Sequence, residues 1–476
     1  MSASSGPEAQ TEARAPELRS LSLLPLGEKA LVMDRANGKW VMVAADAAPL
    51  VRLLPFEEAA VPPDLRPRRA EMLRALAAAG LGSAPYVPRR VFNALILKLT
   101  TACNFRCAYC YSTEPHGALS HMPLEIALRS MEEALKRETE APPNAGRPDL
   151  LVILHGGEPG LVFPLIRRLV LEGERMAERA GKRIAFGGQT NLSPLSQEMV
   201  NFSLAHHIAW GVSLDGPPEW NDTFRVLADG GGTYRYFEKA RSEYPEFIRS
   251  CGILTTVTSA NQDHLLAIAR HFRDCGAAGW GWTLFQAAGL GREQAGRFAI
   301  SYERLIAAWD ELFAAVEAGE FQGFEVGPVV RYLENLVCGP GSNMCMRQGC
   351  GAARELLSVS ADGTIEACDC IDPQGPLAHL GRVDGTGDSL RRAADSDRAR
   401  LVRSRDVTAG ACGVCIWLPL CGGTCMAYAP SLHGRSEGHC AVARNAFTRV
   451  AQSLARSAAL KRYWDSVFAT HAAAAG

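Results

Sequence analysis

Three cysteines, Cys103, Cys107 and Cys110, are separated by three and then two residues in the stretch Leu99-Thr100-Thr101-Ala102-Cys103-Asn104-Phe105-Arg106-Cys107-Ala108-Tyr109-Cys110, directly after an apolar run. Close thiolates make a soft site, suited to an iron–sulfur cluster. A cubane takes four ligands, so a loop offering three leaves one iron open to a group that is not protein. Taken alone, the trio also reads as a zinc knuckle or as a loop short of one ligand.

A second field of thiols lies far downstream. Cys350 is followed by twelve residues, then Gly363, four residues and Cys368; next come Cys412-x2-Cys415-x5-Cys421-x3-Cys425 and finally Cys440. Ten of the fifteen cysteines fall between Cys338 and Cys440. With no signal-peptide pattern and no 18-residue apolar span, the chain reads as cytoplasmic and reducing, with no membrane partner. Metal then explains the cysteines better than disulfides. A formal net charge of -1 gives no reason to expect a polyanionic partner such as DNA or tRNA.

The elements that must position these thiols follow from hydrophobic periodicity. A chain of 476 residues suggests two to four domains. Residues 1–17, rich in Ser, Ala, Glu and Pro, read as a disordered tail. Lys29–Met33 and Lys39–Val43 read as two strands joined at Ala36-Asn37-Gly38, with helices expected over Ala47–Leu54 and Pro67–Ala79. From Asn93 strands and amphipathic helices alternate. Strands are expected at 93–99, 150–154, 183–186, 208–214, 253–257 and 280–285, near-continuous in apolar residues. One helix starts at Pro123 with Leu124, Leu128, Met131 and Leu135 on one face; another carries Leu265, Ile268, Ala269 and Phe272. Six such units predict an α/β fold with a parallel sheet, closing as a partial (βα)6 TIM-like barrel over 91–290. Residues 291–340 read as a helical connector, 341–445 as a cysteine-rich domain and 446–476 as a closing helix.

In barrels of this kind chemistry gathers at the carboxyl ends of the strands. There the sequence places His155-Gly156-Gly157-Glu158-Pro159, Gln189-Thr190-Asn191 and Ser213-Leu214-Asp215-Gly216-Pro217, the last running on to Asp222 and Arg225. Glycines permit close backbone approach, and the Glu158 carboxylate can accept from a ligand ammonium. Ser213 and Arg225 offer a hydroxyl and a guanidinium apt for a ligand carboxylate, whereas Asp215 reads equally as a turn cap. His206, His207, Cys251 and Cys275 read as packing or surface residues.

Cys103-x3-Cys107-x2-Cys110 with Tyr109 before the last cysteine, together with Gly156-Gly157-Glu158-Pro159, resembles the radical S-adenosylmethionine (radical SAM) superfamily. The downstream pattern resembles its seven-cysteine SPASM extension. The resemblance covers about residues 91–445. It implies that the open iron takes S-adenosylmethionine, which one electron cleaves to a 5′-deoxyadenosyl radical. Gly156, Gly157 and Glu158 would meet its amino group, and Gln189 and Asn191 its nucleoside or the substrate. Two auxiliary 4Fe-4S clusters are also implied, making three in all. Cys345, Cys350, Cys368 and Cys425 would hold the first, and Cys412, Cys415, Cys421 and Cys440 the second. Cys338 and Cys370 are surplus, and either could stand in for Cys345. Asp369 occupies the position where related sulfatase maturases carry a carboxylate proposed as base. Residues 18–88 resemble the winged-helix-like peptide-binding domain of peptide maturases, where a leader peptide adds a strand to the sheet edge.

The expectation is therefore an enzyme that modifies a peptide or small protein and draws electrons from a flavodoxin- or ferredoxin-type reductant. Its layout looks most like maturases that form sulfur-to-carbon thioether cross-links in the small subunit of quinohemoprotein amine dehydrogenase. Cyclophane-forming and sulfatase-maturase-like chemistry share that layout. An electron-carrying polyferredoxin or a zinc scaffold would explain the cysteines but not Glu158 or the barrel.

Overall fold

The computed structural model describes residues 20–53, 59, 61–88, 92–112, 119–137, 148–372, 375 and 377–474. The tail expected over 1–17 lies outside them. Described residues form two sheets. The smaller is antiparallel, in the order β1 (Leu21–Pro25), β2 (Lys29–Asp34), β3 (Trp40–Ala44). β1 adds a strand where the sequence reading has only the second and third. Its residues Leu21, Leu23 and Leu24 pair with Asp34, Val32 and Leu31.

β2 is buried on both faces, as the period of two requires. Leu31 and Met33 belong to the main core, while Val32 packs with Val51, Leu76 and Leu81 under the helices Ala48–Leu53 and Arg66–Ala78. Asp34 closes this unit: Oδ1 accepts from Ala36 N at 2.9 Å and Oδ2 from Gly82 N at 2.8 Å. The unit is docked on the body by Trp40 Nε1 donating to Leu336 O at 2.6 Å and Lys29 Nζ to Ala455 O at 2.8 Å.

The larger sheet contains the six expected parallel strands in sequential order: β4 (Ala94–Lys98), β5 (Leu150–His155), β6 (Ile184–Thr190), β7 (Ala209–Ser213), β8 (Gly252–Val257) and β9 (Gly279–Leu284). β10 (Glu325–Val326) extends it in parallel beyond β9. Beyond β4 come β11 (Leu356–Val359), parallel to it, then β12 (Thr364–Glu366) and β13 (His379–Arg382), antiparallel. The cysteine-rich region thus completes the sheet rather than forming a separate body.

Helices cover one face. Ala127, Met131, Ala134 and Leu135 of the helix Leu124–Lys136 are buried, and so are Leu265, Ile268, Ala269 and Phe272 of Leu265–Asp274. Along β5, Leu150, Val152 and Leu154 are buried, while Leu151, Ile153 and His155 alternate with them and keep partial exposure. That alternation leaves a second face available to a site.

Besides the short helix Ala295–Phe298, the connector holds two longer ones, Tyr302–Glu317 and Gly327–Cys338. Both pack on the helix Glu437–Arg456, where the Phe447 ring lies 5.4 Å from Trp417 and 5.0 Å from Tyr332. The closing segment is two helices, Glu437–Arg456 and Ala459–Ala474, so Cys440 sits in a helical first turn. Tyr463, fully buried, accepts from Val326 N at 2.7 Å and donates to Phe324 O at 3.1 Å. Tyr463→Phe leaves the buried Val326 N–H without its acceptor, so stability falls by about 1–3 kcal/mol. A urea denaturation midpoint measures this directly.

Candidate iron–sulfur and S-adenosylmethionine site

The loop after β4 is built by backbone contact with the end of β5. Leu99 N donates to His155 O at 2.8 Å, Gly157 N to Thr100 O at 2.7 Å and Glu158 N to Ala102 O at 2.8 Å. The crossing is so close that a Cβ at Gly156 would lie 2.4 Å from Thr100 O, and one at Gly157 2.1 Å from Ala102 O. Gly156 also has φ +141°, which side chains rarely adopt. These glycines are therefore required by the cysteine loop itself, a reason additional to ligand approach.

The other flank is held by Arg106 N donating to Val226 O at 2.7 Å and Ala108 N to Phe224 O at 3.0 Å. Tyr109 anchors the loop from below. Its hydroxyl donates to Asp215 Oδ2, and its ring meets Phe224 and Phe298 edge-on at 6.3 and 6.1 Å. Asp215 Oδ1 lies 3.0 Å from Arg225 Nε and accepts from Thr256 N at 3.0 Å. Asp215 thus bonds well beyond its own turn, and Arg225 is held in a buried ion pair with it over the Tyr109 ring. The sequence signal for this was the aromatic at 109, which needs a polar partner for its hydroxyl once buried.

The trio of thiols shares one electrostatic environment. Burial pushes the Cys107 thiol up to about 12, against the pull of Arg225, and the charges of Cys110, Asp215 and Cys103 add to the rise. Burial likewise pushes Cys103 up to about 11, with Glu158 and Cys110 contributing. Phe105 N donates to Cys103 Sγ at 3.4 Å and Asn191 Nδ2 at 3.8 Å. Three clustered, partly desolvated thiols are costly as bare thiolates, and a soft cation relieves that cost. The donor set fits an iron–sulfur cluster.

Glu158 is directed inward. Oε1 accepts from Gly160 N and Thr190 Oγ1, both at 2.9 Å, and Oε2 from Asn191 N at 2.6 Å. Burial still raises its carboxyl to about 7 against those donors. Its carboxylate therefore fastens the end of β6 to the turn that carries Gly156 and Gly157. Gln189 lies across Gly211 and donates to Ser213 Oγ at 3.0 Å, so these two polar groups share the inner face.

The downstream thiols gather in two groups. In the first, burial and the charges of Cys350, Cys368 and Cys345 raise Cys425 well above the usual thiol range, and the exposed Cys345 lies close enough to Cys350 and Cys368 to feel their charges. Cys370 belongs to the same group, since ligand atoms of Cys368, Asp369 and Cys370 lie within 4.8 Å of one another. Cys338 is exposed at the end of its helix. In the second group, burial, Cys440 and Cys415 push Cys421 up to about 12, while Cys412 and Cys415 act on Cys440. Arg405 organises the second group's loops, its guanidinium donating to the carbonyls of Gly422, Gly423, Thr424, Leu432 and Gly434 at 2.9 to 3.2 Å.

One side-chain bridge joins the cysteine loop to the first downstream group. Tyr111, next to Cys110, donates to Asp369 Oδ2 at 3.2 Å and lies 3.5 Å from His155 Nε2; Cys368 Sγ donates to Asp369 Oδ1 at 3.4 Å. Neither Tyr111 nor His155 stood out in the sequence. An aromatic immediately after the last cysteine and a histidine opening the glycine turn were the available signals.

No family model matches the chain. A cysteine-type anaerobic sulfatase-maturating enzyme of Clostridium perfringens is 23% identical over 180 residues, 38% of this chain and 48% of that protein. The chain thus aligns with about half the length of that enzyme. Among solved structures, anSMEcpe with bound AdoMet superposes with a TM-score of 0.64 at 19% identity, covering 78% of this chain and 98% of that one. Streptococcus suis SuiB bound to its precursor peptide SuiA gives 0.52 at 13% identity, covering 88% and 99%. The chain thus shares its overall fold with anSMEcpe and SuiB.

Gly157→Ala should displace the loop while the remainder of the sheet stays folded. Bound iron after anaerobic reconstitution should fall, with circular dichroism unchanged.

Proposed function

We propose that the protein is a radical SAM maturase of a peptide or small protein. The observation that carries this reading is the Tyr111–Asp369 bridge, which sets a three-thiol site and a second thiol group at the same strand ends of the barrel. When bound, S-adenosylmethionine and its 4Fe-4S cluster supply a 5′-deoxyadenosyl radical that abstracts hydrogen from an unactivated carbon. Cys103, Cys107 and Cys110 hold that cluster. Gly156 and Gly157 keep the loop in place, and Gln189, Asn191 and Ser213 line the approach to the nucleotide and the substrate. Asp369, fixed by Tyr111, takes the proton that leaves the substrate. Cys345, Cys350, Cys368 and Cys425 hold the first auxiliary cluster, with Cys370 as a neighbouring thiol; Cys412, Cys415, Cys421 and Cys440 hold the second.

The small N-terminal sheet ends in the edge strands β1 and β3, so it can accept an added peptide strand. SuiB, which carries its peptide SuiA in the solved complex, has a comparable overall fold. The product we assign is a thioether between a cysteine sulfur and a carbon of the peptide. A second reading, oxidation of one side chain as in sulfatase maturation, is favoured by Asp369 beside Cys368 and by the sulfatase-maturating relative.

Reconstituted protein should release 5′-deoxyadenosine under dithionite, and Cys103→Ala, Cys107→Ala or Cys110→Ala should abolish it. Release by any of the three would refute the assignment of the loop. Asp369→Asn should keep 5′-deoxyadenosine release and lose the modified peptide by at least a hundredfold, the range of a general base. Mass spectrometry of a co-expressed candidate peptide reads the product: two mass units fewer per cross-link for a thioether.

A further inference from the structure

The two downstream thiol groups differ in what touches their sulfurs. In the second, Arg435 Nη1 donates to Cys412 Sγ at 3.4 Å. The same guanidinium grips Glu437 through Nε at 3.0 Å and Nη2 at 2.9 Å. Arg435 is 19% exposed and Glu437 78%. Water screens the carboxylate, whereas the guanidinium acts on the sulfur across a short, poorly solvated path. Arg444 stands nearby, and both cations pull Cys440 down against the effect of burial.

In the first group the neighbour has the opposite charge: Cys368 Sγ lies 3.4 Å from a carboxylate oxygen, Asp369 Oδ1. Arg331 and Arg354 lie close enough to act on Cys345 and to feel Cys350, but neither donates to a sulfur among the described residues.

We propose that Arg435 makes the second auxiliary site the electron sink of the pair. A charge-assisted N–H···S bond and a positive charge favour the state of a cluster that carries one more electron. Arg435 therefore raises the potential of the second cluster above that of the first. Were both quartets loaded, the electron gained at the second would be the one given up by the first, with no bond or proton moved. The location suits such a sink. Ala409, Gly410 and Ala411 ahead of Cys412 are exposed, and Val414, between Cys412 and Cys415, is 80% exposed, so the electron arrives at the surface. This rests on the proposed reading of both thiol quartets as 4Fe-4S sites.

The test is a redox titration of the full-length reconstituted protein followed by electron paramagnetic resonance, with iron and sulfide determined on each sample. In Arg435→Gln with unchanged iron, the higher auxiliary transition should shift negative by at least tenfold in its equilibrium constant, about 59 mV for one electron. The other transitions should stay in place. Glu437→Gln should move the same transition the other way. Unmoved potentials in fully loaded Arg435→Gln, or a shift confined to the lower auxiliary transition, would overturn the role of Arg435. Should Arg435→Gln fail to hold iron, Glu437→Gln decides alone, and an unmoved transition there overturns the proposal. Zinc in place of iron in the unaltered protein would overturn the cluster reading beneath it and the proposal together.

Discussion

The site depends on one crossing of two backbones. The stretch Thr100–Ala102 runs against Gly156–Glu158 with hydrogen bonds of 2.7 and 2.8 Å and no room for a side chain between them. Because β4 and β5 are neighbours in a parallel ladder, that crossing extends the sheet by two more links past its last residue. The cysteine loop is therefore not a mobile appendage but an extension of the sheet, and the three thiols take their geometry from it.

Two buried carboxylates stabilise what the crossing begins. Glu158 ties the loop to β6 through Thr190 and Asn191, and Asp215 ties it to β7 and β8 through Tyr109, Arg225 and Thr256. Both sit among groups that satisfy them, as buried acids must. Anionic posts beside thiolates that must themselves be charged to bind metal would be an electrostatic mistake in an empty site. Arg225 offsets the charge of Asp215.

The six parallel strands were legible because each carries a near-continuous apolar run. Less legible was everything set by tertiary partners. Glu158 and Arg225 have the chemistry of ligand contacts, yet each is used internally; nothing in their local sequence announces Thr190, Asn191 or Asp215 as partners. β1 was missed because Leu21-Ser22-Leu23-Leu24-Pro25 is short and ends in proline. The bridge from Tyr111 to Asp369 joins residues distant in the chain and could not be read from either segment alone.

The position of β11 has a consequence for how the chain is made. β4, the first strand of the large sheet, is flanked by β5 on one side and on the other by β11, a strand synthesised long afterwards. Until the ribosome has delivered Leu356–Val359, the growing polypeptide displays an unpaired apolar edge at Ala94-Leu95-Ile96-Leu97, a surface on which chains aggregate. A nascent product truncated before this segment would carry β4 to β10 and still expose that edge. Sequestration by a holdase during translation, and shortage of soluble protein when expression outruns it, follow from the order in which the strands emerge.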